Sequence, residues 1–342
     1  MNSKTPALVS PWPHRVSVCL VCATFVLIWI GGLVTTYDAG MAVNDWPTTF
    51  GENMFLYRWD VWLTGPWDVF IEHGHRLFAA GVGLATIVLA AVLCAAERRR
   101  WVRALGVAAV FAVVLQGVLG GMRVLENETR LAMLHGCLGA AFFGLCVALA
   151  VFTSRRWREV AESPPSGEAP PGETCRRREV ARFQRLAVLT CLLAYFQIVL
   201  GAAVRHIPST AAMHEFQAML LFHLFFAAVL AGHIVLLTAR CWRRRKDLSS
   251  LWRPALLLVV FLLVQLCLGA VAWVTNYGWP VWFSGYAFAD GYTILRGGAL
   301  QAMVTTAHVA IGSLIFVTAL ALALRSMRLP RGDNGPSLEA AA

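Results

Sequence analysis

Eight stretches of about twenty apolar residues decide what this chain can become. They run over roughly 16–36, 75–96, 103–122, 131–152, 184–204, 218–239, 254–275 and 299–324, and a helix of about twenty residues crosses the hydrocarbon core of a bilayer. No water reaches that core, so each backbone amide must bond within its own segment, and every stretch is expected to be helical. The balance of residues agrees. Over 342 residues 58% are hydrophobic and 14% charged, with a mean hydropathy of +0.63, which no soluble globular domain sustains. The first run lacks a convincing small-residue cleavage site and is expected to stay as a helix rather than be removed.

A net charge of +10 would suit a nucleic-acid binder, but its distribution argues against one. The basic residues cluster in alternate loops, as topology signals do. Of the 29 lysines and arginines, only Arg58, Arg76, Arg123, Arg130, Arg205 and Arg296 fall on the other side. The basic side is therefore expected in the cytoplasm, with both termini. Membrane lipid is an expected partner and nucleic acid is not. The nine cysteines mostly sit within apolar runs, where a thiol behaves as a small hydrophobe, and no disulfide framework is expected.

The stretch 163–172, Ser-Pro-Pro-Ser-Gly-Glu-Ala-Pro-Pro-Gly, reads as part of a flexible connector. It divides the chain into an N-terminal half (1–153), a cytoplasmic linker (154–183) and a C-terminal half (184–342). The halves echo each other. Gln116 in Val-Val-Leu-Gln-Gly-Val-Leu-Gly matches Gln265 in Leu-Leu-Val-Gln-Leu-Cys-Leu-Gly, His75 matches His223, and His135 matches His308. Four spans per half make the repeats parallel. The fold class expected is an all-α membrane protein, eight transmembrane helices arranged as two pseudo-symmetric four-helix bundles.

Four histidines then stand out. His75, His135, His223 and His308 lie on the second, fourth, sixth and eighth spans, all in the outer half of the membrane. Ionisable groups there are costly and mark function. Two imidazoles on facing helices can hold a planar cofactor, and imidazole is a standard axial ligand to haem iron. Each half then offers one bis-histidine site, His75 with His135 and His223 with His308. A single membrane histidine more often bonds a backbone carbonyl, but a pair repeated at matching depth favours ligation. His233, ten residues below His223, points off that face and is an unlikely iron ligand.

Ile71-Glu-His-Gly-His-Arg76 breaks the repeat. Glu72 and His75, three apart, share a helix face, yet Leu220 occupies the equivalent of Glu72 in the second half. One site could thus do proton chemistry while the other holds a redox cofactor. The plainer reading is an interfacial carboxylate paired with Arg76. Arg76 and Arg205 lie near the expected haem edges, where a guanidinium suits propionates, or they simply snorkel to the interface.

These features together resemble the haem A synthase family over essentially the whole chain. The carriers are Gly31-Gly-Leu-Val, Gly40-Met-Ala-Val-Asn-Asp-Trp-Pro47, Glu72-x-x-His75-Arg76, Gly201-Ala-Ala-Val-Arg205 and the histidines of the even spans. The resemblance implies an oxidoreductase that converts the ring methyl of haem O to the formyl group of haem A by successive hydroxylations. It implies His75, His135 and Arg76 around the substrate haem O, Glu72 as the catalytic carboxylate, and His223, His308 and Arg205 around a haem b cofactor. Haem O synthase, assembly factors of haem-copper oxidases, an electron donor the sequence does not identify and further copies of the chain are the partners it suggests. Many members carry a cysteine pair flanking the Asp-Trp-Pro loop. Here Val43 and Thr49 stand in those places, which implies the subgroup without it. The competing reading is a bis-histidine di-haem cytochrome that passes electrons from quinol and leaves its haem unmodified.

Overall fold

The structure, a computed structural model, describes residues 10–162, 173–208, 210–245, 248 and 250–328. Among these are eight helices long and apolar enough to cross a membrane. They are α1 (Trp12–Thr36), α3 (Trp67–Ala96), α4 (Arg100–Leu125), α5 (Thr129–Thr153), α7 (Glu173–Arg205), α8 (Met213–Arg243), α9 (Trp252–Tyr277) and α11 (Ala299–Ser326). Three shorter helices, α2 (Trp59–Thr64), α6 (Arg155–Glu162) and α10 (Ala287–Asp290), lie in the connections.

The helices form two rings. In the first, α1 packs on α3, α3 on α4, α4 on α5, and α5 closes on α1; α7, α8, α9 and α11 repeat that order. The rings meet along α1, α5, α7 and α11. Small residues let the helices approach across this seam, since membrane helices associate by packing and not by exclusion of water. The clearest case is Gly144 on α5, where an added Cβ would meet the Phe316 ring of α11 at 2.9 Å.

Two departures from the sequence reading matter. Helix α3 begins at Trp67, eight residues before the apolar window opens, because Pro66 caps it with φ −57° and proline suits a helix start. Glu72 and His75, expected to share a helix face, are helical, and so is His73. The connector, expected to be flexible, starts with the helix α6, and α7 already begins at Glu173; residues 163–172 lie outside the described residues. On the basic side Glu97 pairs with Arg99 at 2.8 Å and Arg158 at 3.3 Å. The Arg99 guanidinium also donates to the Phe152 carbonyl, which fastens the α3–α4 turn to the end of α5.

Opposite lie two aromatic caps. The first follows α1 as a short 3-10 turn (Ala39–Met41), then a hairpin of β1 (Thr48–Thr49) and β2 (Glu52–Asn53), then α2. Asp45 holds the hairpin by accepting from the amides of Phe50 and Gly51 and from the Thr48 hydroxyl. Burial pushes its pKa up, but those bonds outweigh it and hold the carboxyl below its ordinary value. The second cap, between α9 and α11, packs Trp279 edge to face against Phe283 and Phe288, with Tyr286 stacked on Phe288.

Candidate functional site

Each of the four histidines sits over a glycine of the preceding helix. A Cβ built on Gly31 would meet His75 Cε1 at 3.0 Å, on Gly120 His135 Cε1 at 3.1 Å, on Gly201 His223 Cε1 at 3.2 Å, and on Gly269 His308 Cε1 at 3.1 Å. Those are tighter than most real Cβ contacts, so a methyl there would push each ring back by a few tenths of an ångström. The glycines are therefore notches that admit an imidazole edge between two helices, one per neighbouring pair.

In the second ring the two imidazoles of the pair lie beside one another, edge to face. The His223 and His308 centroids are 6.4 Å apart at an interplanar angle of 64°. Two metal–imidazole bonds of about 2 Å each, plus the ring radii, come to about 6 Å. The spacing fits one metal atom between the rings. A haem brings its other four donors with it, and among the described residues no three His, Cys, Asp or Glu gather as a chelating cluster. In the first ring His75 and His135 stand over Gly31 and Gly120 in the same way. The structure thus brings the second pair together and gives the first pair the same setting.

Glutamines stand beside three of the four. Gln197 lies one turn before Gly201, and its amide nitrogen is 3.0 Å from His223 Nδ1 and 2.9 Å from the His223 carbonyl. Gln265, one turn before Gly269, lies 3.2 Å from a ring nitrogen of His308. Gln116, one turn before Gly120, donates to His135 Nδ1 and to the His135 carbonyl, both at 3.1 Å, once its amide is turned nitrogen-first. Sequence reading took Gln116 and Gln265 only as marks of duplication and passed over Gln197. The signal was present as Gln-x-x-x-Gly on three odd spans.

Around Glu72 the first cap closes down. Glu72 is 2% exposed; its Oε1 accepts from Arg76 at 2.9 Å and its Oε2 from the Val43 amide at 2.8 Å. Arg76 also donates to the carbonyls of Val43, Asp45 and Thr48 at 2.6, 2.7 and 3.1 Å. His73 is buried with its Nδ1 3.0 Å from the Thr49 hydroxyl and its ring against Tyr57 and Trp62. Val43 and Thr49, standing where a cysteine pair would be, are thus both engaged with α3. Trp46 lies over Gly121, and Arg123 donates to the Gly40 carbonyl at 3.0 Å, which ties the same cap to α4.

Arg205 reaches across the seam from α7, donating to the Gly32 carbonyl at 3.1 Å and to the Thr36 hydroxyl. His206, just past that helix, has its pKa lowered to about 4 by burial and by the charges of Arg205 and Arg123. His14 lies far off, with its Nδ1 3.0 Å from the Ala150 carbonyl.

The profile of the cytochrome oxidase assembly protein family matches residues 66–220, from the start of α3 into α8. The heme A synthase of Symbiobacterium thermophilum is 29% identical over 204 residues, 58% of this chain and 61% of that protein. The heme A synthase of Bradyrhizobium diazoefficiens is 33% identical over 162 residues, 44% of this chain and 42% of that protein. A protoheme IX farnesyltransferase of Haloarcula marismortui is 30% identical over 152 residues, 43% of this chain and 28% of that protein. The match spans at most about three-fifths of these relatives' length. Over about half of its length, then, the chain is similar to cytochrome oxidase assembly proteins and to heme A synthases.

Proposed function

We propose that this chain is a haem A synthase of a bacterial cytoplasmic membrane, oxidising the ring methyl of haem O to the formyl of haem A by successive hydroxylations. The observation that carries this reading is Glu72: one of two similar histidine pairs has a buried, doubly held carboxylate three residues from a ligand, and the other does not. A cytochrome that only relayed electrons would have no use for it, and no relative supports that alternative.

In this reading His75 and His135 hold the substrate haem O in the N-terminal half, and His223 and His308 hold a resident haem b in the C-terminal half. The halves are related by a pseudo-two-fold axis along the membrane normal, supported by the repeated packing order. When bound, the iron supplies the oxidising power that an unactivated methyl requires. The protein orients, shields and handles protons. Glu72 Oε2, bonded to the neutral Val43 amide, is the oxygen that can take up a proton while Oε1 keeps its hydrogen bond to Arg76. The cap, tied down by Arg76, His73 and Trp46, keeps outside water from that carboxylate. Arg76 and Arg205 line the outer ends of the two sites; both already have protein partners, so propionate contact would be added to these. The basic loops face the cytoplasm, and haem O synthase, oxidase assembly factors, an electron donor and further copies of the chain are the partners to seek.

The test is pigment extraction with mass analysis of haems, after co-expression with a haem O supply, for wild type, Glu72→Ala and His308→Ala. Haem A or a hydroxylated intermediate in wild type, lost in Glu72→Ala with haem still bound, is expected. Haem b alone, unchanged by Glu72→Ala, would sink the proposal in favour of the electron-transfer cytochrome.

A further inference from the structure

The glutamine pattern has a gap. Three ligand histidines meet a Gln-x-x-x-Gly on the preceding helix; before Gly31, which faces His75, the corresponding residue is Leu27. Among the described residues His75 Nδ1 is buried with no hydrogen-bond partner; His308 Nδ1 is also unpartnered, but there Gln265 reaches the other ring nitrogen, Nε2, at 3.2 Å. We infer that Gln116, Gln197 and Gln265 are positioning residues that fix the rings of His135, His223 and His308 for axial ligation, and that Leu27 leaves His75 as the single yielding ligand. This rests on the haem-binding reading above.

The chemistry is that of the far ring nitrogen. An imidazole that binds metal through one nitrogen carries its proton on the other, and an acceptor there sets the tautomer, holds the ring and makes it a stronger donor. A glutamine amide can offer either end by turning over. In the structure the amide nitrogens face the rings, and Gln197 Oε1 and Gln265 Oε1 are buried without partners, so a half-turn of either amide would present an oxygen to the ring N–H that ligation requires. Small residues one turn below the histidines leave room for the amides: Gly139 and Gly312 have Gln116 Oε1 and Gln265 Nε2 at 3.8 and 3.3 Å from an added Cβ.

The consequence is a division of labour. The C-terminal pair is fastened on both faces, as a resident cofactor requires. The N-terminal pair is fastened only through His135, so a haem there is held by one firm and one weak imidazole. A substrate that must enter, react and leave needs such a site, and the weak side is the one beside Glu72.

The test uses full-length, haem-loaded protein carrying Gln197→Leu, Gln265→Leu, Gln265→Glu or Leu27→Gln. The readouts are the low-spin bis-imidazole electron paramagnetic resonance signal, the midpoint potential, and the rate of haem loss to a scavenging apoprotein. Loss of such a partner commonly costs about ten- to a hundredfold in metal affinity. Gln197→Leu and Gln265→Leu should speed haem loss by about that factor and raise the potential of the C-terminal haem. Gln265→Glu, which keeps an acceptor oxygen, should restore retention and bring the potential back down. Leu27→Gln should slow loss from the N-terminal site. Glutamine variants indistinguishable from wild type, or Leu27→Gln without effect, would overturn the inference while leaving the haem sites intact. Wild type without a bis-imidazole signal would overturn the haem-binding reading itself.

Discussion

Arg76 holds the first cap down, and its removal should free that cap without unfolding the helices. The guanidinium makes four bonds, three to carbonyls of Val43, Asp45 and Thr48 and one to Glu72, and its side chain is only 9% exposed. Arg76→Ala leaves Glu72 buried without its counter-charge. Breaking a buried pair in this way costs about 3–5 kcal/mol. The carboxylate can recover water only if the cap lifts, so most of that cost favours the open cap. At 1.4 kcal/mol per tenfold, the open population rises by about a hundred to a few thousandfold. Hydrogen exchange followed by mass spectrometry reads this directly, through peptides covering the amides of Val43, Phe50 and Gly51. Their protection should fall by a hundredfold or more, while peptides of α11 stay protected. Arg76→Lys should fall between, since one ammonium cannot reproduce a fork that serves four acceptors. Cap protection unchanged in Arg76→Ala would refute the clamp; equal loss throughout α11 would show global unfolding instead.

The glycine notches give a second expectation. Gly201→Val or Gly269→Val should drive the facing ring out of place, cost about 1–3 kcal/mol by overpacking and abolish the low-spin haem signal of the C-terminal site. Gly117→Ala, which has nothing within 4 Å of its added methyl, should leave haem content unchanged and the melting temperature no lower, since alanine favours a helix interior over glycine. His206 gives a third. Its folded pKa of about 4 lies below the ordinary 6.5, so the unfolded chain binds the extra proton and stability falls as pH drops from about 6.5 to about 4. Above 6.5 it contributes no slope. His206→Asn should flatten thermal stability against pH in that window; an unaltered profile would show that the group titrates normally.

How much of this was legible in the sequence follows from what each feature depends on. The eight spans rest on runs of apolar residues, and hydropathy finds them with only their ends misplaced. The apolar window opens eight residues into α3 because Asp68, Glu72 and His73 lower local hydropathy; Glu72 and His73 are buried there because the cap satisfies them, a tertiary fact that no window averages in. The histidine pairs were visible because duplication repeats them. The arrangement around Glu72 was half visible: pairing with Arg76 follows from i,i+4 spacing, whereas the Val43 amide and the three carbonyls are backbone atoms without a residue signature. Gln197 was missed for a different reason. Comparing the halves end to end shows two glutamines, but the motif recurs once per pair of helices, and only that shorter period reveals the third and the absence at Leu27.

The seam between the rings has an evolutionary reading. Numbered within each half, its contacts are first helix to fourth, fourth to first, and fourth to fourth. That set is unchanged when the halves are exchanged, which is the signature of an isologous interface. It is what a single four-helix chain makes when it dimerises with a copy of itself. Fusion of two such copies would allow each site to change alone: a carboxylate gained and a glutamine absent on one side, both glutamines kept on the other. A homodimer could never acquire those differences, because every substitution would appear in both subunits at once.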